Sequence, residues 1–357
     1  MLRSPLANPM TTPMINPIRT GLSKITRAIL NSNGTQYATL SEPVVLNSAC
    51  EIEWVCIWPE LDGAWFLADT TDDDLNASRF LTHSGAISGL GFSSATPLST
   101  APEPGLISRV NYKRSSNGDV SFSVNGEVLG TTTYSGPISI NSLFTSWGGS
   151  TSIPKYKGVH FSTRIWKDGD RNTGELVTDL RFDEPDTIYQ RNYASPIADE
   201  NDPDWSGAIL QNALPGDWEE ISKQSSDDFW LGVDESTTAD LSRAGSSDDC
   251  EVFLENGNLR IVSYTTNPAW IGAHFSNLKS GPLYQVSFIA DEFTASSGLE
   301  IIGSSDTDVL TGFQSIDVIP VTSRISVRDR DGHSAGDEYY LHGISIRRKL
   351  KYAEGAL

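Results

Sequence analysis

Cysteine is scarce in this chain: three residues in 357, at Cys50, Cys56 and Cys250. An odd, scattered set builds no disulfide framework. If Cys50 and Cys56 share a strand, six steps hold them roughly 20 Å apart, beyond disulfide reach. The expectation is synthesis in a reducing compartment with buried free thiols, and no Cys/His zinc site. Long apolar runs are also missing, and none approaches the roughly 20 residues of a membrane-spanning helix. Positive charge is in deficit, with 26 Lys and Arg against 46 Asp and Glu for a net charge of -20. Such a surface repels nucleic acid. Gly-x-Ser-x-Gly elbows, phosphate-cradling glycine loops and coiled-coil heptads are absent as well. The opening 21 residues lack the continuous apolar core of a signal peptide, so export by the usual secretory route is not expected.

What is present is the alternation of β-structure. Val120, Phe122 and Val124 point one way while Ser121, Ser123 and Asn125 point the other, the period of a strand with one buried and one wet face. Asn117-Gly118 and Asn125-Gly126 predict hairpin turns, because both dipeptides tolerate positive φ. A further alternation, Cys250, Val252 and Leu254, runs into Asn256-Gly257 and out through Leu259 and Ile261. Fold class follows: all-β, two antiparallel β-sandwich (jelly-roll type) domains after an extended N-terminal segment.

Four segments are expected. Residues 1–34 form a proline-spaced opening with Pro5, Pro9, Pro13 and Pro17, a spacing that forbids regular helix there. A short helix capped by Ser23 follows, with Ile25, Ile29 and Leu30 near one face. Residues 35–233 form the first sandwich. Residues 234–248, polar and small, read as a linker, and 249–357 form the second β unit. The basic run Arg347-Arg348-Lys349 reads as strand-edge protection.

Two stretches, Asp119-Val-Ser-Phe-Ser-Val-Asn-Gly-Glu-Val-Leu-Gly130 and Gly158-Val-His-Phe-Ser-Thr-Arg-Ile-Trp-Lys-Asp-Gly169, resemble the concanavalin A-like (laminin G-like) lectin sandwiches of bacteriophage virion proteins. Leu180-Arg-Phe-Asp-Glu-Pro185 adds to that likeness. Residues 249–350 resemble the carbohydrate-binding-module-like jelly rolls of phage fibres, through Leu278-Lys-Ser-Gly-Pro-Leu-Tyr-Gln-Val-Ser-Phe288 and Tyr340-Leu-His-Gly-Ile-Ser-Ile-Arg347. The resemblance implies a non-enzymatic fibre or spike component of the virion. Such a protein attaches to other virion proteins by its N-terminal segment, binds host surface glycan, inserts in no membrane and assembles as a homo-oligomer, a trimer by analogy. A decoration protein that binds no sugar stays open, as does a polysaccharide depolymerase.

Candidate chemistry is sparse. Glu51 and Glu53 share one strand face, but Val55 and Cys56 stand where a glycosidase of the resembled fold would carry its next acid. They are expected to be two exposed glutamates on a wet face. Sugar stacking would use exposed indoles with polar neighbours, and the candidates are Trp65, Trp147, Trp205 and Trp270. Trp54 and Trp166 read as structural. A structural calcium would draw on Asp329, Asp331 and Asp337 in one loop. The jelly-roll resemblance adds Asp249 and Glu251. Asp72-Asp73-Asp74 with Asn76 is a second acidic cluster.

Overall fold

The computed structural model describes residues 27–31, 37–57, 65–69, 80–83, 86–88, 103–143, 158–181, 189–190, 192–194, 208–211, 218–224, 228–266, 270–279, 282–303, 306–329 and 333–356. The N-terminal module opens with β1 (Arg27–Asn31), β2 (Tyr37–Leu46), β3 (Cys50–Ile57), β4 (Trp65–Asp69), β5 (Phe80–His83) and β6 (Ala86–Ser88). It continues with β7 (Ile107–Arg114), β8 (Asp119–Val124), β9 (Glu127–Thr133), β10 (Ile138–Leu143), β11 (Gly158–Lys167) and β12 (Glu175–Leu180). β13 (Tyr189–Gln190), β14 (Ala208–Gln211), β15 (Trp218–Lys223) and β16 (Phe229–Leu231) follow. The C-terminal module begins with β17 (Asp240–Ala244), β18 (Cys250–Glu255), β19 (Asn258–Ser263), β20 (Ile271–Ser276) and β21 (Leu283–Ala290). After the short helix α1 (Glu292–Ser296) come β22 (Leu299–Ile302), β23 (Asp306–Asp308), β24 (Gly312–Val318), β25 (Ile325–Asp329) and β26 (Glu338–Leu350).

The expected all-β architecture holds, and the strands paired among the described residues run antiparallel, with one isolated parallel bridge between Ile107 and Tyr352. The hairpins fall where the turn dipeptides sit. Asn125 and Gly126 both have positive φ (52° and 85°) between β8 and β9. Asn256 and Gly257 repeat the pair (51° and 77°) between β18 and β19, the double left-handed conformation that a two-residue hairpin requires. In the C-terminal module, Leu259, Ile261, Val286, Phe288 and Ile346 pack against Ile271, Ala273, Phe275, Ile325 and Val327 of the facing five-stranded sheet β17-β20-β25-β22-β23. All three cysteines are buried and free.

The modules share one sheet. β16 pairs with β15 on one side and with β26 on the other, so the strand order β18-β19-β26-β16-β15-β1-β11-β3-β7-β8-β9 runs unbroken from one module into the other. A cluster of Val55, Ile57, Ile107, Val159, Phe161, Leu231 and Leu350 seals this seam. The chain then returns to the first module: Ile107 N donates to Lys351 O and Ala353 N to Ile107 O, and Ala353 and Ala356 pack on Leu106 and Leu283.

Four expectations need correcting. Residues 27–31 are not helical. They form a strand between β11 and β15, with Ala28 fully buried, because two sheet neighbours supply hydrogen bonds that outweigh a weak local helix preference. Residues 234–248 are not an uncovered linker. Asp240–Ala244 pairs with β20, and the Asp234 carboxylate accepts from Ser236 N, Ile346 N and Ser345 Oγ. The basic run is not an edge either. β26 is flanked by β19, β16 and β21, and Arg348 is buried in ion pairs with Glu219 and Glu235. Glu51 and Glu53 are 2% and 3% exposed, not wet. Pro5, Pro9, Pro13, Pro17, Ser23, Asp72 to Asp74 and Asn76 lie outside the described residues.

Candidate functional site

On β3 the outward face changes character along its length. Val55 and Ile57 feed the apolar seam, while Glu51 and Glu53, four and two residues before Val55, head a polar groove. Cross-strand register builds that groove in rows. Thr131, Ser121, Lys113, Glu51 and Trp166 lie opposite one another across β9, β8, β7, β3 and β11. The next row is Ser123, Asn111, Glu53, Arg164 and Asp179.

Arg171, in the loop between β11 and β12, closes over the two glutamates. Its backbone N donates to Glu51 Oε2 at 2.9 Å and its Nε to Glu51 Oε1 at 2.6 Å, and its guanidinium also reaches Glu53 Oε2 at 3.1 Å. Asn111 Nδ2 donates to Glu51 Oε1 at 2.7 Å. Arg109 and Arg164 each stand 3.5 Å from Glu53. The guanidinium of Arg171 sits 5.8 Å from the Trp166 ring centroid. Lys113 Nζ meets Asp170 at 2.5 Å, and this hydrogen bond holds the Asp170 carboxyl below the usual carboxylate range.

A cavity of about 350 Å³ lies over this cluster, lined by Glu51, Arg109, Asn111, Lys113, Asp170 and Arg171 among others. A second, of about 540 Å³, is lined by Lys113, Asp119, Ser121, Thr131 and Thr133. Lys113 borders both. Gly355, from the segment that returns after β26, forms part of the first cavity's wall.

A second surface faces outward from the five-stranded sheet. Trp270, at the entrance to β20, is 41% exposed, with the Arg328 guanidinium 4.6 Å from its ring centroid. Along the same face lie Glu300, 3.9 Å from Arg328, and His274, whose Nδ1 is 2.8 Å from Ser326 Oγ. Burial lowers the pKa of His274.

The other sequence candidates scatter. Trp65 lies on β4, while Trp147, Trp205 and Asp331 are outside the described residues. Trp54 is fully buried, as expected, but Trp166 is half-buried beneath Arg171 and edges the groove. Three of the acidic candidates for calcium accept hydrogen bonds from protein donors. Asp249 accepts from Ser246 N and Thr265 Oγ1, Asp337 from Ser334 N, and Glu251 from the Tyr264 hydroxyl. Asp329 is fully buried, 3.5 Å from His333 Nδ1. Among the described residues no group of three or more His, Cys, Asp or Glu side chains is placed to hold a metal ion. Sequence reasoning missed Arg171, Arg109, Arg164 and Asn111 as partners of Glu51 and Glu53, and Lys113 as the partner of Asp170. The alternation of Arg109, Asn111 and Lys113 along β7 was the available signal.

No protein-family model matches the chain, and no curated protein matches it. Among solved structures, the chain is similar to a Bacteroides ovatus protein described as a candidate carbohydrate binding protein. The identity is 12% and the TM-score 0.41, over 56% of this chain. The chain spans 61% of that protein's length. Two HCR/D mutants, in which a tryptophan or a phenylalanine is replaced by alanine, align over 90% of this chain and 88% of theirs. Their identities are 12% and 8%, with TM-scores of 0.24 and 0.23.

Proposed function

We propose that this chain is a non-enzymatic glycan-binding protein, a fibre or spike component of a bacteriophage particle that attaches through its N-terminal segment and presents its β-sandwich modules to host surface glycan. The observation that carries the reading is the Trp270 face. A half-exposed indole with the Arg328 guanidinium against its ring offers an apolar plate for a pyranose ring and a donor for its hydroxyls, with His274 farther along the same sheet face. The arrangement of Glu51 and Glu53 supports binding over hydrolysis. A glycosidase needs one carboxyl free to give a proton and another free to attack or to activate water. Here Arg171 binds both side chains and Asn111 takes a further site on Glu51. The virion location and a trimeric assembly rest on the sequence resemblance.

A glycan array probed with the full chain tests the reading, with Trp270→Ala as the control. The expected result is binding to a defined set of host surface glycans that falls at least tenfold in Trp270→Ala, with no reducing sugar released. No binding to any host glycan would favour the decoration role. Sugar release abolished by Glu51→Gln would establish a depolymerase and overturn the non-enzymatic assignment.

A further inference from the structure

We infer that the polar groove of the N-terminal module is a second binding site, separate from the Trp270 face, for an uncharged, extended oligosaccharide lying across the strands. Three features of the groove point there.

The first is charge. The cations that line the two adjoining cavities are Arg109, Lys113 and Arg171, and the carboxylates are Glu51, Asp119 and Asp170. Three face three, and each cation has a carboxylate partner: Lys113 has Asp170, Arg171 has Glu51 and Arg109 has Glu53 beneath it. Such a surface offers no uncompensated field to a phosphate, sulfate or uronate. Its charged groups still make stronger hydrogen bonds than neutral groups do, because an ionised donor or acceptor roughly doubles the interaction.

The second is the inventory of hydroxyl and amide groups. Ser121, Ser123, Thr131, Thr133 and Asn172 line the same cavities, and Thr131 and Thr133 are exposed. Each of these side chains both donates and accepts, matching a ligand whose own hydroxyls do the same.

The third is shape. The two cavities adjoin at Lys113 and run from Thr131 on β9 across β8 and β7 to Glu51 on β3. At about 4.8 Å between neighbours that is roughly 14 Å, a track for two or three linked sugar rings and longer than a monosaccharide needs. Glycines shape one wall: Gly126 leaves its Cβ position open, and a Cβ on Gly355 would lie 2.4 Å from Asn125 O. Since Gly355 arrives from the C-terminal module, the groove needs both modules in place.

The test is a calorimetric titration of the full chain with neutral hexasaccharides (gluco, manno, galacto and xylo series) and their sulfated or uronate counterparts, at low and high salt. One neutral series should bind, more tightly as its length grows toward the groove's span and with little response to salt. Lys113→Ala should weaken it about tenfold, the loss of one charge-assisted contact. Ser121→Trp, which fills the groove, should abolish it. Trp270→Ala should leave it intact, which separates this site from the one proposed above. Absence of binding by every neutral series would overturn the inference. So would preference for the anionic ligands with steep salt dependence, or binding that survives both groove variants. Should Ser121→Trp unfold the chain, the exposed Lys113 still decides the matter.

Discussion

Arg348 on β26 and Glu219 on β15 meet at 2.9 Å across the seam between the modules, and both are shielded from solvent. Glu235 takes the other side of the guanidinium at 2.5 Å and accepts from the Tyr284 hydroxyl. Burial raises the pKa of Glu235. Removing the cation strands two carboxylates in a protein interior, which costs far more than the net worth of the pair. Arg348→Met should therefore destabilise the chain by about 3–5 kcal/mol. Adding Glu219→Gln and Glu235→Gln should recover part of that loss. Urea unfolding of the single and triple variants measures both, and a triple variant no better than the single one would refute the account.

His160 sets an acid limit on stability. It faces the interior of the N-terminal sandwich from β11, with Nε2 2.9 Å from Thr163 Oγ1. Burial pushes its pKa down to about 3. The unfolded chain takes up this proton near pH 6.5, so between about pH 6.5 and about 3 it holds a proton that the folded chain does not. Stability must then fall as pH falls, by up to about 1.4 kcal/mol per pH unit from this group. Denaturation midpoints at pH 7, 5.5 and 4.5 should decline less steeply in His160→Gln. Equal slopes would mean that the imidazole is charged in the fold.

Asp234 adds a second acid window. Burial opposes ionisation of its carboxyl, but hydrogen bonds from Ser345 Oγ, Ser236 N and Ile346 N win and lower its pKa. A depressed carboxylate stabilises the fold above its unfolded value of about 4 and loses that contribution as pH falls through the folded one. Asp234→Asn should lower stability at pH 7 and leave the variant less sensitive to acid below about pH 4. Thermal unfolding at pH 7, 4 and 3 checks both halves.

Much of the fold was legible from spacing alone. Alternation in residues 119–124 and 250–261 located β8, β18 and β19, and three Asn-Gly dipeptides marked real turns. Alternation says which side chains share a face, but it does not say what covers that face. Glu51 and Glu53 lie on the side opposite Ile52 and Trp54, as the pattern requires, yet Arg171, Arg109 and Arg164 fold over them. Arg171 is 120 residues from Glu51 in sequence, so no local window could pair them. β1 and β17 fail for a related reason: each is short, and its strand character comes from partners far along the chain. Trp270 was legible as an exposed indole, whereas the stacked Arg328 was not.

Two glycines at the groove separate backbone strain from steric exclusion. Gly126 and Gly355 both have positive φ, 85° and 76°. A Cβ on Gly126 meets nothing within 4 Å, while one on Gly355 lies 2.4 Å from Asn125 O. Gly126→Ala should cost only the left-handed penalty, about 1–2 kcal/mol. Gly355→Ala carries the same penalty plus a collision with main chain, about 1–3 kcal/mol more, and should loosen residues 351–356 from the N-terminal module. Hydrogen exchange at Ala353 N, which donates to Ile107 O, reports that loosening directly. Equal losses in the two variants would show that the close approach contributes nothing.

Leu231 tests whether the shared sheet makes the modules unfold together. It is fully buried, on the strand that joins β15 to β26, and it packs with Val55 and Phe161 of one module and Leu350 of the other. Leu231→Ala should cost about 2–5 kcal/mol through lost contacts and the cavity left behind. Because hydrogen bonds run without a break across this strand, the loss should register in both halves at once. Hydrogen exchange would show equal loss of protection at Val110 in β7 and Val286 in β21, within a single calorimetric transition. Two transitions, with only one moved by the substitution, would mean that the sheet is continuous in geometry but not in cooperativity.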